Sequence, residues 1–162
     1  MLRHLIETNL ALLAQGRHLL ASIDDEAYST RLYILFSNSA GAQLRHILEF
    51  YECLLDGLPH TSIDYDARRR DHTLETSRTA ALNRIDHITH RLAGITEDRT
   101  LQVHVDEAVT PSSLARELQS LVSHTIHHYA LIAVAMRLQG LPVDPQFGVA
   151  PSTLRYQLQQ AA

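Results

Sequence analysis

Apolar residues recur along this chain at mixed spacings of three and four, the period of helices that bury one face. Over residues 2 to 21 they are Leu2, Leu5, Ile6, Leu10, Leu12, Leu13, Leu19 and Leu20, which predicts a first amphipathic helix ended or capped by Asp24 and Asp25. After a short segment from Glu26 to Leu32, a second long helix runs from Asn38 to Asp56 and stops at Gly57-Leu58-Pro59. It is apolar on two sides. Leu44, Ile47, Leu48, Tyr51 and Leu55 form one stripe and Phe50 with Cys53 another, as expected of a helix packed between two neighbours. From Gly57 to Thr76 the chain is polar and rich in Asp and Arg, a long ordered loop of the kind that often carries function.

A third helix starts near Ser77, turns Ala80, Ala81, Leu82, Ile85, Ile88 and Leu92 inward, and ends at Gly94. Leu101-Gln102-Val103-His104-Val105 alternates apolar with polar, which reads as a short extended piece or hairpin arm. Thr110 as N-cap and Pro111 at the first helical position are expected to open the fourth and longest helix, whose periodicity continues through Leu138 to Gly140. The tail carries Pro142, Pro145, Gly148 and Pro151, then a short amphipathic turn, Thr153 to Leu158, expected to pack against the bundle. Without repeats or linkers, residues 1–162 read as one domain. Its expected fold is all-α: a four-helix bundle with a long ordered connection between the second and third helices and a short C-terminal helix.

At 45% hydrophobic and 20% charged residues, the 162-residue chain can bury a core and is not disordered. Its net charge of -4 disfavours a sequence-independent grip on nucleic-acid phosphate. No stretch approaches the roughly twenty apolar residues of a membrane span. The single Cys53 cannot form an internal disulfide, and the start MLRHLIETNL carries Glu7 and no long apolar run, so a soluble, cytoplasmic protein is expected.

The eleven histidines outnumber the nine aromatics, so their placement matters. His124 and His128 in Ser123-His124-Thr125-Ile126-His127-His128-Tyr129 are one turn apart and project from the same side of the fourth helix, which is ligand spacing for a metal. With Leu121, Leu131 and Ala135 they fall on one stripe, expected to face inward, while His127 lies to its side. A catalytic zinc-type centre normally takes three protein ligands and keeps a position for water or substrate. His46, on the second helix beside core residues, is the best third candidate. The plainer alternative is a histidine pair decorating a surface. His87 and His90, with Asp86, form a rival cluster that reads as solvent-facing, and His4, His18, His60, His72 and His104 carry no functional reading.

A histidine inside an apolar second helix that ends in a short Gly-containing turn, followed far downstream by His124-x-x-x-His128 in the fourth helix, resembles the DinB/YfiT-like superfamily. The resemblance covers most of the chain. It implies a four-helix bundle, often dimeric, that holds a metal on one second-helix histidine and the two fourth-helix histidines, here His46, His124 and His128. Many members continue with Arg-Gly-Gln where this chain has Tyr129-Ala130-Leu131.

Neutral imidazoles suit zinc, nickel, iron or copper better than magnesium or calcium; zinc and nickel lead the expectation, and iron and manganese follow. Such a centre gives access to hydrolysis and to thiol transfer on a small-molecule substrate. For hydrolysis, Glu49 is the first choice of base, against a plain role as partner of Arg45 or a loop arginine. For thiol transfer, Arg68, Arg69 and Arg70 could recognise the carboxylates of a low-molecular-weight thiol, against a loop pinned by salt bridges to Asp64, Asp66, Asp71 or Glu75. Tyr65 and Tyr129 are candidates to offer hydroxyls to a bound ligand, against plain core hydrogen bonding. The other class of function is a bundle that binds metal or ligand without turnover, or serves as a homodimeric interaction module.

Overall fold

The computed structural model describes residues 1–35 and 37–160. Four long helices carry the core: α1 (Leu2–Ser22), α3 (Ala40–Gly57), α5 (Arg78–Ala93) and α6 (Leu114–Leu138). Short helices α2 (Asp25–Ser29) and α4 (Thr73–Thr76) lie between them, and α7 (Pro151–Gln160) ends the described chain. Each main helix turns a continuous apolar stripe inward, as with Leu5, Ile6, Leu12, Leu13, Leu19 and Leu20 of α1. Serines open three of them. Ser39, Ser77 and Ser113 accept from the backbone N–H of Ala42, Ala80 and Arg116, satisfying donors that the first turn leaves free. Asp24 does the same for Ala27 and so starts α2, while α1 has already ended at Ser22.

The beginning of α6 departs from expectation. Thr110 and Pro111 are not its cap and first residue; they lie in strand β3 (Ala108–Ser113), antiparallel to β2 (Thr100–Val105), with Thr110 opposite Val103 and Pro111 opposite Gln102. The alternating β2 needs a partner for its backbone, and the segment after the turn supplies it before a helix can begin. Proline is tolerated there because the strand order β1-β2-β3 puts β3 at the sheet edge. Strand β1 (Ser62–Asp64) pairs parallel with β2, Ile63 opposite Val103. The connection after α3 is therefore built from β1 and α4 joined by loop, and the helical fold carries a small sheet whose Ile63, Leu101 and Val103 join the core.

A second departure concerns the tail. No residue of α7 is buried, so this helix does not pack into the bundle. Among the described residues, no helix is long and apolar enough to cross a membrane.

Two features set α3 against its neighbours. Tyr51 of α3 donates to Asn9 Oδ1 at 2.7 Å and lies 3.2 Å from Thr125 Oγ1, while Asn9 Nδ2 donates to the carbonyls of Leu5 and Leu118. This buried network ties α1, α3 and α6 into one register. At the start of α3, Gly41 meets the backbone of Glu75 so closely that any Cβ would collide, which brings Glu75 onto Arg45.

Candidate metal centre

That register places His46 of α3 opposite His124 and His128 of α6. One nitrogen from each imidazole lies within 4.8 Å of the others, and the three rings stand 4.5 to 4.9 Å apart. The core-facing stripe of α6 runs through Leu121, Thr125, Tyr129, Ile132 and Met136, so the histidines flank it half-buried instead of lying within it. Position beside the stripe gives them both neighbours and access.

Burial lowers the pKa of each ring. With Arg68 and Arg45 nearby, His46 falls to about 4. Burial together with the other imidazoles and Arg68 takes His124 to about 3, and burial with His46 and His127 takes His128 to about 4. At neutral pH all three are uncharged and carry a lone pair. His46 Nε2 and His124 Nε2 are 3.1 Å apart, which matches two donors each about 2.0–2.1 Å from one shared ion. His128 Nδ1 is 2.6 Å from Gln43 Oε1; donating its proton there leaves Nε2 as the free donor atom. Among the described residues no carboxylate or thiolate joins this cluster. Three imidazoles and no hard oxygen ligand fit a divalent transition ion.

Around the imidazoles stands an aromatic and cationic wall. Phe50 stacks on His124 at 4.1 Å, Tyr65 stacks on Phe50 at 5.0 Å, and the Arg68 guanidinium sits 4.7 Å over the Phe50 ring. Arg68 donates to the Tyr65 carbonyl and has no carboxylate partner among the described residues. The Tyr65 hydroxyl donates to Glu117 Oε2 at 2.8 Å, and Ser112 donates to the other oxygen of that buried carboxylate.

The remaining residues singled out in the sequence are placed differently. Arg69 pairs with Asp56 at 3.8 Å, and Arg70 is exposed and, among the described residues, reaches only the Arg68 carbonyl. Tyr129 is fully buried and donates to the Leu12 carbonyl, so its hydroxyl lies in the core between α6 and α1. Glu49 is 2% exposed; Oε1 accepts the Asp71 backbone N–H at 2.7 Å, while Oε2 has no hydrogen-bond partner and lies 3.9 Å from Arg45 Nε. His87 and His90 are exposed, in line with their solvent-facing reading, and so is His127, whose ring meets His128 edge-on. The sequence reading passed over Gln43 and Glu117. Gln43 precedes His46 by one turn, and Glu117 precedes His124 by two, so helical spacing could have raised both. What it could not supply was their partners on other elements.

A family model described as the DinB superfamily matches residues 11–132. A curated relative, "FK506-binding protein 5" of Rhizopus delemar, is 34% identical over 106 residues, covering 59% of this chain and 28% of that protein. The chain thus spans under a third of that relative's length. No solved structure gives a match. With the helical bundle, the inserted hairpin and the three clustered histidines in place, the chain belongs to the DinB superfamily.

Proposed function

We propose that this protein holds one divalent transition-metal ion, zinc or nickel before iron or manganese, on His46, His124 and His128, and acts as a transferase of a small thiol. The observation that carries the reading is the convergence of three neutral imidazole nitrogens within 4.8 Å, with no anionic ligand beside them among the described residues. When bound, such an ion keeps its double positive charge and lowers the pKa of a thiol or water in the open position.

This chain's own residues supply the rest. Gln43 holds the His128 ring so that Nε2 faces the other donors. Phe50 and Tyr65 form an apolar wall that excludes water from one side of His124. Arg68, with no carboxylate of its own, is free to receive the carboxylate of a small anionic thiol. A cytoplasmic setting, where thiols stay reduced, suits the same chemistry.

A hydrolytic reading has one observation in its favour, the unpartnered Oε2 of Glu49. Against it, the other Glu49 oxygen is committed to the Asp71 backbone. The experiment is metal analysis of tag-free wild type beside His124→Ala/His128→Ala after stripping and reloading with zinc, nickel, manganese and iron. About one equivalent in the wild type, lost in the variant, supports the site and leads to parallel thiol-transfer and hydrolase screens. Equal, negligible binding overturns it. Turnover that needs Glu49 and ignores Arg68 favours the hydrolase.

A further inference from the structure

Glu117 is a buried carboxylate with no cationic partner among the described residues. It is 8% exposed on α6, and two hydroxyls meet it, Tyr65 at Oε2 and Ser112 at Oε1. Taking a carboxylate out of water is costly unless hydrogen bonds replace its hydration, so its presence calls for a role that a neutral side chain would fill less firmly. Hydrogen bonds to an ionised acceptor are about twice as strong as neutral ones. Burial and the Glu117 charge also hold the Tyr65 hydroxyl protonated far above its usual range, so it remains a donor.

What Tyr65 carries is Arg68. Among the described residues the guanidinium makes one hydrogen bond, to the Tyr65 carbonyl at 2.6 Å, and otherwise rests over the Phe50 ring at 4.7 Å. Its place is thus set by the backbone of the residue whose hydroxyl Glu117 grips. Tyr65 stacks on Phe50 at 5.0 Å; a stack fixes the spacing of two rings but lets them slide, and the hydroxyl bond stops the slide. The ends of the loop are fastened separately. Asp64 accepts the N–H groups of Asp66 and Ala67, Asp66 accepts that of Asp106 at the hairpin tip, and Glu49 accepts that of Asp71. Between these points residues 67–70 have no regular structure, and Arg70 takes a left-handed φ of +52°. The backbone alone does not hold the Arg68 side chain.

Glu117 and His124 lie two turns apart on one face of α6, about 10 Å along its axis. One rigid helix therefore carries both the grip on Tyr65 and two of the three imidazoles. Phe50 stacks on His124 at 4.1 Å as well as lying under the guanidinium, so a single ring separates the cation from that imidazole.

We infer that Glu117 is a positioning residue: through the Tyr65 hydroxyl it sets the Arg68 guanidinium over Phe50, where Arg68 selects thiols that carry a carboxylate over neutral ones. The selection rests on the thiol reading above, while the placement of Arg68 stands without it. An arginine already held loses little further freedom when it meets a carboxylate, so the grip of Glu117 is converted into affinity.

NMR of the arginine Nε–H groups tests the placement in the full chain, with and without zinc. In wild type the Arg68 signal, identified by its loss in Arg68→Lys, should be displaced from the ordinary arginine position by the ring current of Phe50. Glu117→Ala should return it to the ordinary position, and so should Tyr65→Phe, which keeps the ring if the first variant does not fold. Glu117→Gln, whose amide oxygen accepts the same bond, should keep it displaced. Helical circular dichroism and metal content at wild-type levels report that the variants are folded. Thiol choice is read in cobalt-loaded protein, from the sulfur-to-metal absorption during titration with 3-mercaptopropionate or 2-mercaptoethanol. Wild type and Glu117→Gln should favour the carboxylate thiol, and that preference should fall about tenfold in Glu117→Ala and Tyr65→Phe, the worth of one charge-assisted contact. An Arg68 signal that stays displaced in Glu117→Ala and Tyr65→Phe overturns the inference, as does a preference that survives once Arg68 has moved. Absence of thiolate absorption in wild type would overturn the thiol reading instead, and the arginine signal would still decide whether Glu117 places Arg68.

Discussion

Two polar clusters lie within two turns of each other along α3 and α6, the first reaching α1 through Asn9, and are built in opposite ways. In the Asn9, Tyr51 and Thr125 network every member is buried and every strong donor finds an acceptor. In the His46, His124 and His128 cluster the rings are half-buried, one nitrogen of each lies within 4.8 Å of the others, and His124 Nδ1 is buried without a partner. A satisfied network stabilises one packing; a half-buried cluster of converging imidazole nitrogens is capable of coordinating a divalent metal ion. The contrast separates the part of the interface that holds the helices from the part capable of coordinating a metal.

The largest effect should come from crossing that division. His124→Ala/His128→Ala should remove metal binding entirely while leaving the metal-free fold near wild-type stability, as equilibrium dialysis and urea unfolding would show. Conversely, Asn9→Leu takes the 2.7 Å acceptor from the Tyr51 hydroxyl, leaving it Thr125, removes the side-chain donor from the Leu118 carbonyl, and should cost about 1–2 kcal/mol, read as a lower urea midpoint, with metal stoichiometry unchanged. Loss of metal in the Asn9 variant while still folded would show that the two clusters are not separable.

Gln43→Ala should weaken metal binding by about 10–100-fold through loss of ring orientation at His128, measured by chelator competition, and an unchanged affinity would remove Gln43 from the site. The pH response has a definite sign. Because burial lowers the folded-state pKa of these imidazoles from 6.5 to about 3 or 4, the unfolded chain takes up protons first as pH falls. Their contribution to metal-free stability is complete above about 6.5 and is lost as pH drops through about 4. Urea midpoints across that window should fall in wild type and fall less in His124→Ala/His128→Ala; parallel profiles would contradict the burial of these rings. The smallest effect belongs to Tyr65→Phe, which keeps the stack on Phe50, gives up the bond to Glu117, and should cost about 1 kcal/mol without moving metal affinity.

The four main helices and the three histidines that cluster were legible in the pattern for local reasons. Apolar spacing reports which face of a helix is buried, and His124 with His128 share a face because 3.6 residues make a turn. The errors arose where a local signal competed with a distant partner. Thr110-Pro111 is a good helix opening by itself, yet β2 claims it as a strand. Tyr129 sits next to His128 in sequence, but one helical step turns its hydroxyl to Leu12. The amphipathic turn from Thr153 to Leu158 reads as packing against the bundle, yet Leu154 is only partly buried and Leu158 is exposed.

The chain by itself thus determined the helices, their buried faces, the family resemblance and the three imidazoles, because periodicity and ligand spacing are written within single elements. Only the tertiary structure decided that Gln43 orients His128, that Arg68 stands free over Phe50 while Arg69 and Arg70 lie apart from the site, that Glu49 is tied to the Asp71 backbone, and that α7 is left exposed. Each of these depends on which residues of separate elements meet after packing, and that is set by the summed fit of the whole core, which no local pattern records.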